Sequence, residues 1–247
     1  MDIMVLCYHA VSPTWTATLS VTPDALERQL TWLTRHGWHG TTFRAALLAP
    51  TAERTLAVTF DDAFASVLEL AHPILASLGL PATVFAPTAF AATGQPLRWS
   101  GIEHWAQTPS APELRCLTWG ALGQLAQEGW EVGSHTRTHP HLPSLTGEEL
   151  HTELAESRSE ISERLGSECT SLAYPYGDAD LRVAKAAEAA GYTVGASMSS
   201  HLEWLGVLRW PRLGIYHVDT LGRFKLKTTR GMRWVRSSRL WPNDRLP

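Results

Sequence analysis

The sequence predicts an α/β fold built on parallel strands, and two observations carry that prediction. Short apolar runs alternate with segments of helical periodicity along the 247 residues, which implies strands joined by crossovers. The chemically loaded residues Asp61-Asp62, His135, Tyr176 and His217 each fall directly after an apolar run. In parallel α/β barrels the loops at the carboxyl ends of the strands build the active site, so pattern and chemistry agree.

Residues 3 to 8 read as a short buried strand. Thr22 or Asp24, flanking Pro23, starts a helix whose leucines at 26, 30 and 33 recur at helical spacing until Gly37. Residues 55 to 60 form the next strand, apolar enough to be buried on both sides. A helix is expected from about Ala65 to Leu78, ended by Gly79, and Pro81 leads into the strand 82–86. The stretch 91–118 breaks the rhythm with Gly94, Pro96, Gly101, Pro109 and Pro112, and reads as an irregular insertion or lid. Trp119–Gln127 is helical, 130–133 is a strand leading to His135, and Thr146 with Glu149 forms a capping box for a helix to Leu165. A strand at 171–174, a helix at 179–190 and a strand at 192–196 complete the pattern. The expected organisation is a barrel domain over 1–227 and a basic, tryptophan-containing tail over 228–247.

Composition narrows the function classes. With 44% hydrophobic and 18% charged residues the chain is an ordinary globular one. A net charge of −3 gives no general affinity for nucleic acid or anionic membrane. The three cysteines, Cys7, Cys116 and Cys169, are far apart with no CxxC spacing, which argues against a disulfide framework. The first residues hold no basic stretch followed by a long apolar run, and no window reaches the ~18 apolar residues of a membrane span. A cytoplasmic or peripherally membrane-associated protein is expected. The segment 223–247 sets eight Lys and Arg against Asp244, with Trp234 and Trp241 between them. It reads either as a terminal helix snorkelling its basic stems over the barrel or as a contact for anionic lipid.

Two adjacent carboxylates and two imidazoles are the parts of a hydrolytic metal site. One carboxylate and two histidines give three ligands and leave a fourth position for water, and the second carboxylate is free to take that water's proton. Spacing i, i+4 puts His135 and His139 on one side of a helical turn. Each half alone has a plainer reading: Asp61-Asp62 as a turn or helix cap, His135 and His139 as surface histidines.

The combination is more specific. Thr59-Phe60-Asp61-Asp62, Ser134-His135-Thr136-Arg137-Thr138-His139, Tyr174-Pro175-Tyr176-Gly177 and Leu213-Gly214-Ile215-Tyr216-His217 resemble, in order, the motifs of the polysaccharide deacetylases, carbohydrate esterase family 4. Tyr8-His9-Ala10-Val11 and Leu26-Glu27-Arg28-Gln29-Leu30 look like one branch of that superfamily. The resemblance spans about residues 3 to 227. It implies a distorted (β/α) barrel with fewer than eight regular repeats. It also implies one divalent metal, most often zinc, with cobalt, nickel or manganese compatible, held by Asp62, His135 and His139. By the same resemblance Asp61 is the general base, the Tyr176 backbone N–H stabilises the oxyanion and His217 is the acid. His9, Trp99 and Arg212 are candidates for substrate contact.

The expected activity is removal of an acetyl group, chiefly N-acetyl, from a glycan or glycoconjugate. The partner is then an acetylated sugar, with membrane contact through the tail. Two departures qualify it. The family's arginine that pairs with the base falls at Ala173, leaving Arg212 or Arg209 to substitute, and the Asp-Trp element that orients the acid has no match between Ala196 and Trp210. Amide hydrolysis of a small metabolite and glycan binding without catalysis are the alternative readings.

Overall fold

The computed structural model describes residues 1–198, 202 and 204–238. Its strands are β1 (Asp2–Tyr8), β2 (Ala10–Val11), β3 (Ser20–Val21), β4 (His39–Thr41), β5 (Arg54–Phe60), β6 (Thr83–Ala86), β7 (Glu131–Ser134), β8 (Ser171–Ala173), β9 (Val194–Met198) and β10 (Trp210–Gly214). All pairings between them are parallel, in the order β1-β10-β9-β8-β7-β6-β5, and β1 returns to pair with β5 along its whole length, Asp2 opposite Arg54 and Tyr8 opposite Phe60. Seven strands therefore close into a barrel. β4 shares the edge of β5 with β6: it pairs at Thr55 to Ala57, whereas β6 pairs at Thr59 and Phe60. β2 and β3 form a separate two-stranded piece.

Strand alternation sorts the barrel wall into two faces. Met4, Leu6 and Tyr8 of β1 point outward and pack with Leu26, Leu30 and Leu33 of the helix Pro23–Arg35 in the main core. Val5, Ala57, Phe85, Ala173, Val194 and Ala196 point inward, joined by Phe43 and Ala46 from the helix Phe43–Leu48 at the start of the strands. Three of these six inward residues are alanine. A seven-stranded barrel is narrow, and small residues leave its upper interior free for polar groups.

The helices Trp119–Gln127 and Gly147–Leu165 follow the expected ranges, the latter opened by the Thr146–Glu149 capping box and closed by Gly166 at φ 66°. The single helix expected over 65–78 is different. A π-helical turn, Val67–Ala71, runs into a short α-helix, His72–Ser77. Pro73 has no N–H to donate into the turn before it, which disrupts the regular ladder. The insertion 91–118 contains two short 3₁₀ turns and buries Leu97, Ile102 and Leu114 in the main core, so it is packed against the barrel. Trp105 meets Trp15 edge-on at 5.7 Å and belongs to that packing.

After β10 the chain forms the helices Leu221–Thr228 and Arg230–Ser237. Arg233 grips both carboxylate oxygens of Asp2 at 2.8 and 2.7 Å and so fixes the last helix to the N-terminal end of β1. Trp241, with the rest of 239–247, lies outside the described residues. Among the described residues no helix is long and apolar enough to cross a membrane.

Candidate metal centre

The site grows from the end of β5. Alternation along that strand turns Ala57, Thr59 and then Asp61 toward the barrel interior. Asp62 would point outward on a continued strand. Instead it and Ala63 take left-handed conformations, φ 68° and 51°, and the chain turns sharply enough for both carboxylates to reach one pocket. Three more non-glycine residues have positive φ: Thr136, His139 and Tyr176. All five of these described residues lie in or next to the candidate metal-ligand triad, and strain held by the surrounding fold is a mark of functional sites.

His135 and His139 leave the end of β7 on a loop, not on the helical turn that their spacing suggested. The left-handed residues Thr136 and His139 make that turn impossible and fold the segment back on itself instead. Glu153 of the helix Gly147–Leu165 clamps the loop, accepting hydrogen bonds from the N–H groups of Arg137 and Thr138 at 2.8 and 3.0 Å and from the Thr138 hydroxyl at 2.6 Å. His135 is oriented by Nδ1, 2.8 Å from the carbonyl oxygen of Ala173, which aims Nε2 at Asp62. Such a backbone partner on the far nitrogen is the usual support of a metal-ligating imidazole. His139 has no such partner for its buried Nδ1. Packing positions it instead, between Trp99 stacked at 3.9 Å and 17° and Tyr176 edge-on at 4.7 Å.

These elements converge on one oxygen. Asp62 Oδ1 lies 3.2 Å from His135 Nε2 and 3.4 Å from His139 Nε2, all three residues being buried. Despite that proximity Oδ1 has no hydrogen-bond partner. Three donor atoms crowd together without bonding one another. A tetrahedral ion with bonds of ~2.0–2.1 Å holds its ligand atoms about 3.3 Å apart, so the observed spacings fit a bound divalent metal. Burial pushes the carboxyl of Asp62 up, but the two imidazoles outweigh it and hold the group well below the usual carboxylate range.

Beside this triad, Asp61 is held by an arginine from the far side of the chain. Arg212 of β10 is 0% exposed and donates to the two Asp61 oxygens at 2.6 and 2.7 Å, and to Thr59 Oγ1 at 3.0 Å. The sheet order explains the meeting. β1 lies between β5 and β10, and its inward-facing Cys7 sits opposite Thr59 on one side and Gly214 on the other. The small thiol lets the guanidinium cross to Asp61 and itself donates to Asp61 Oδ2 at 3.4 Å. Burial raises the Asp61 pKa, and the Arg212 charge more than reverses that, to about 2.

The remaining candidates divide. His9 follows β1 directly and clusters with Cys7 and Asp61, their ligand-type atoms within 4.8 Å of one another, and its Nδ1 is buried without a partner. His217 lies on the loop after β10 with an exposed side chain. What fixes that residue is its backbone N–H, which donates to the carbonyl of Thr18 at 3.0 Å. Tyr176 is half-exposed and stacks on His141 at 3.8 Å. Arg209 is not among the partners of Asp61. Sequence reasoning missed Cys7 as the spacer and Glu153 as the clamp, because both act through neighbours remote in the chain.

The chain is similar to a known group of proteins. The family model for polysaccharide deacetylase aligns with residues 48–195. The chain belongs to the polysaccharide deacetylase family. The relative YxkH of Bacillus subtilis (strain 168), which bears the family's name, is 28% identical over 198 residues, spanning 78% of this chain and 63% of its own length. This chain therefore matches less than two thirds of that relative. Among solved structures, the deacetylase PplD of Streptococcus pyogenes, in complex with acetate, superposes with a TM-score of 0.78 at 23% identity over 93% of this chain and 99% of its own. BC0361 of Bacillus cereus gives 0.75 at 21% identity over 91% of this chain and 68% of its own. At these identities the likeness establishes the barrel fold. The family-model match ends before β10 and begins after β1, so it includes neither Arg212 nor His9.

Proposed function

We propose that this chain is a metal-dependent deacetylase of an N-acetylated glycan. The observation that carries the reading is the bare Asp62 oxygen facing two imidazole nitrogens beside a second carboxylate held ionised by Arg212. Asp62, His135 and His139 would hold the ion, with zinc the first choice for a donor set of two imidazoles and one carboxylate. When bound, a metal of this kind polarises the acetyl carbonyl and lowers the pKa of water.

The protein's own groups supply the rest. Asp61 accepts the proton of the attacking water, and Arg212 fixes its orientation and keeps it charged in a dry interior. The arginine that the resemblance expects at position 173 has a counterpart on another strand, which supports the catalytic reading over a binding-only one. The backbone N–H of Tyr176, turned by its left-handed conformation, is the proposed donor to the oxyanion. The departing amine needs a proton. His9, clustered with Asp61 and with an unpartnered nitrogen, is better situated to pass one on than the exposed His217, and the burial that lowers its pKa makes it release that proton readily. His9→Ala is therefore expected to lower kcat about a hundredfold or more, and His217→Ala only a few-fold. The reverse ranking in steady-state kinetics would return the acid role to His217.

The reading is tested by acetate release from N-acetylated glucosamine oligomers and from peptidoglycan fragments, using protein loaded with one zinc per chain. Release that depends on chain length supports a glycan substrate. Turnover confined to small acetylated amides would favour the metabolite reading, to which the close packing of Trp99 over His139 lends some support. No acetate from any of these at full metal loading would overturn the proposal. Elemental analysis should find the ion in the wild type and lose it in His135→Ala/His139→Ala.

A further inference from the structure

The end of the barrel away from the metal centre carries a surface that the proposed chemistry does not use. Two segments build it. The connection from β9 to β10 exposes Trp204 by 64% together with Leu205 and Val207, and the helix Arg230–Ser237 exposes Trp234 by 71% together with Val235. The segments are joined, since the Leu202 N–H donates to the Arg236 carbonyl at 2.9 Å and Leu202, Arg230 and Trp234 line one hollow with Ile3 and Pro211. Arg233 fastens the helix by its two bonds to Asp2 and lies 5.4 Å over the Trp38 ring. Asp2 opens β1, and Tyr8 closes it at the level of the site. Six residue steps along the strand separate them by about 20 Å.

The charge of this part of the chain is the opposite of the rest. Residues 199–247 hold ten Lys and Arg against Glu203, Asp219 and Asp244, in a chain whose total is −3, and nine of the ten remain once Arg212, spent on Asp61 inside the barrel, is set aside. Asp219 is buried in an ion pair with Lys227, and Asp2 is taken by Arg233. Arg230, exposed, stands one helical turn from Trp234 on the same face.

We propose that this face docks on the surface of an anionic lipid bilayer, with Trp204 and Trp234 entering the interface and Arg230 meeting phosphate headgroups. Exposed tryptophan and aliphatic side chains with an exposed arginine one turn away are the features of an interfacial anchor. A soluble polyanion would satisfy the cations but leave two indole rings and three aliphatic side chains in water. A second copy of the chain would bring like charges together. The metal centre would then open away from the membrane, and its substrate would stand off from the bilayer by at least the height of the barrel.

Co-sedimentation of the full chain with phosphatidylglycerol-containing vesicles and with pure phosphatidylcholine vesicles tests this. Binding is expected to the former, weakening as salt rises. Arg230→Glu should weaken it at least fivefold, since each positive charge near such a surface contributes about a factor of five. Trp204→Ala/Trp234→Ala should weaken it about tenfold or more while leaving the melting temperature unchanged, because both rings are exposed. Quenching of tryptophan fluorescence by brominated lipid should fall in the same double variant. No binding to anionic vesicles at low salt would overturn the proposal. So would binding indifferent to the tryptophan pair, which would indicate a purely electrostatic polyanion surface. A concentration-dependent dimer that the double variant disperses would also overturn it, in favour of a second copy on this face.

Discussion

Replacing Asp61 by Asn should reduce acetate release about a hundred- to ten-thousand-fold while the protein still binds one metal ion, because it removes the proton acceptor and leaves Asp62, His135 and His139 in place. The substitution is nearly isosteric. The amide oxygen can still accept one bond from Arg212, so folding should be preserved. Single-turnover kinetics with metal analysis on the same sample checks the point. Activity within a few-fold of wild type would remove Asp61 from the chemistry. Loss of the ion together with activity would instead make Asp61 part of the metal site.

Removing Arg212 should have the larger effect on the molecule as a whole. Arg212→Met leaves a buried carboxylate with no opposite charge, and breaking a buried pair in this way typically costs about 3–5 kcal/mol. The pH dependence has a definite sign. Asp61 is held at about 2 in the folded protein, below the ordinary 3.8 of an aspartate, so the pair contributes stability above the unfolded pKa and loses it as pH falls from 3.8 through 2. Without Arg212 the burial that pushes the Asp61 pKa up is opposed only by His135 and His9, so the acid limb of the rate profile should move to higher pH. Denaturant unfolding of Arg212→Met, beside Asp61→Leu/Arg212→Met, separates the causes. The double variant should recover much of the stability, because no isolated charge remains buried. If the single variant were as stable as wild type and its pH profile unmoved, the pair would be ornamental.

The position of Arg212 also bears on activity in this family member. The arginine that the resemblance leads one to expect beside the proposed base is an alanine here, which counted as a departure in the sequence. In the fold, a guanidinium from β10 reaches the same carboxylate through the space left by Cys7. The charge balance of the interior is met by a different strand, not abandoned. A mutation scan guided by the motifs alone would pass over Arg212, Cys7 and Glu153, although each touches either the carboxylate or the loop that bears the histidines.

Much of this protein was legible in one dimension. The alternation of apolar runs and helical patterns determined a parallel α/β fold, since a strand buried on both faces and followed by a helix can pair in few other ways. The carboxylates at 61 and 62 and the histidines at 135 and 139 declared a metal-type donor set by residue type and by position after strands. The capping box at Thr146 and the stop at Gly166 fixed the long helix locally. Two things were decided only in three dimensions. The backbone at Asp62, Thr136, His139 and Tyr176 adopts left-handed angles that no local preference favours, and only the convergence of three loops holds them there. The partners of the chemistry, Arg212 with Asp61 and His9 near both carboxylates, depend on barrel closure. Alternation can say that position 212 faces inward. It cannot say that β10 will lie next to β1, because that neighbour is set by the number of strands needed to close the ring.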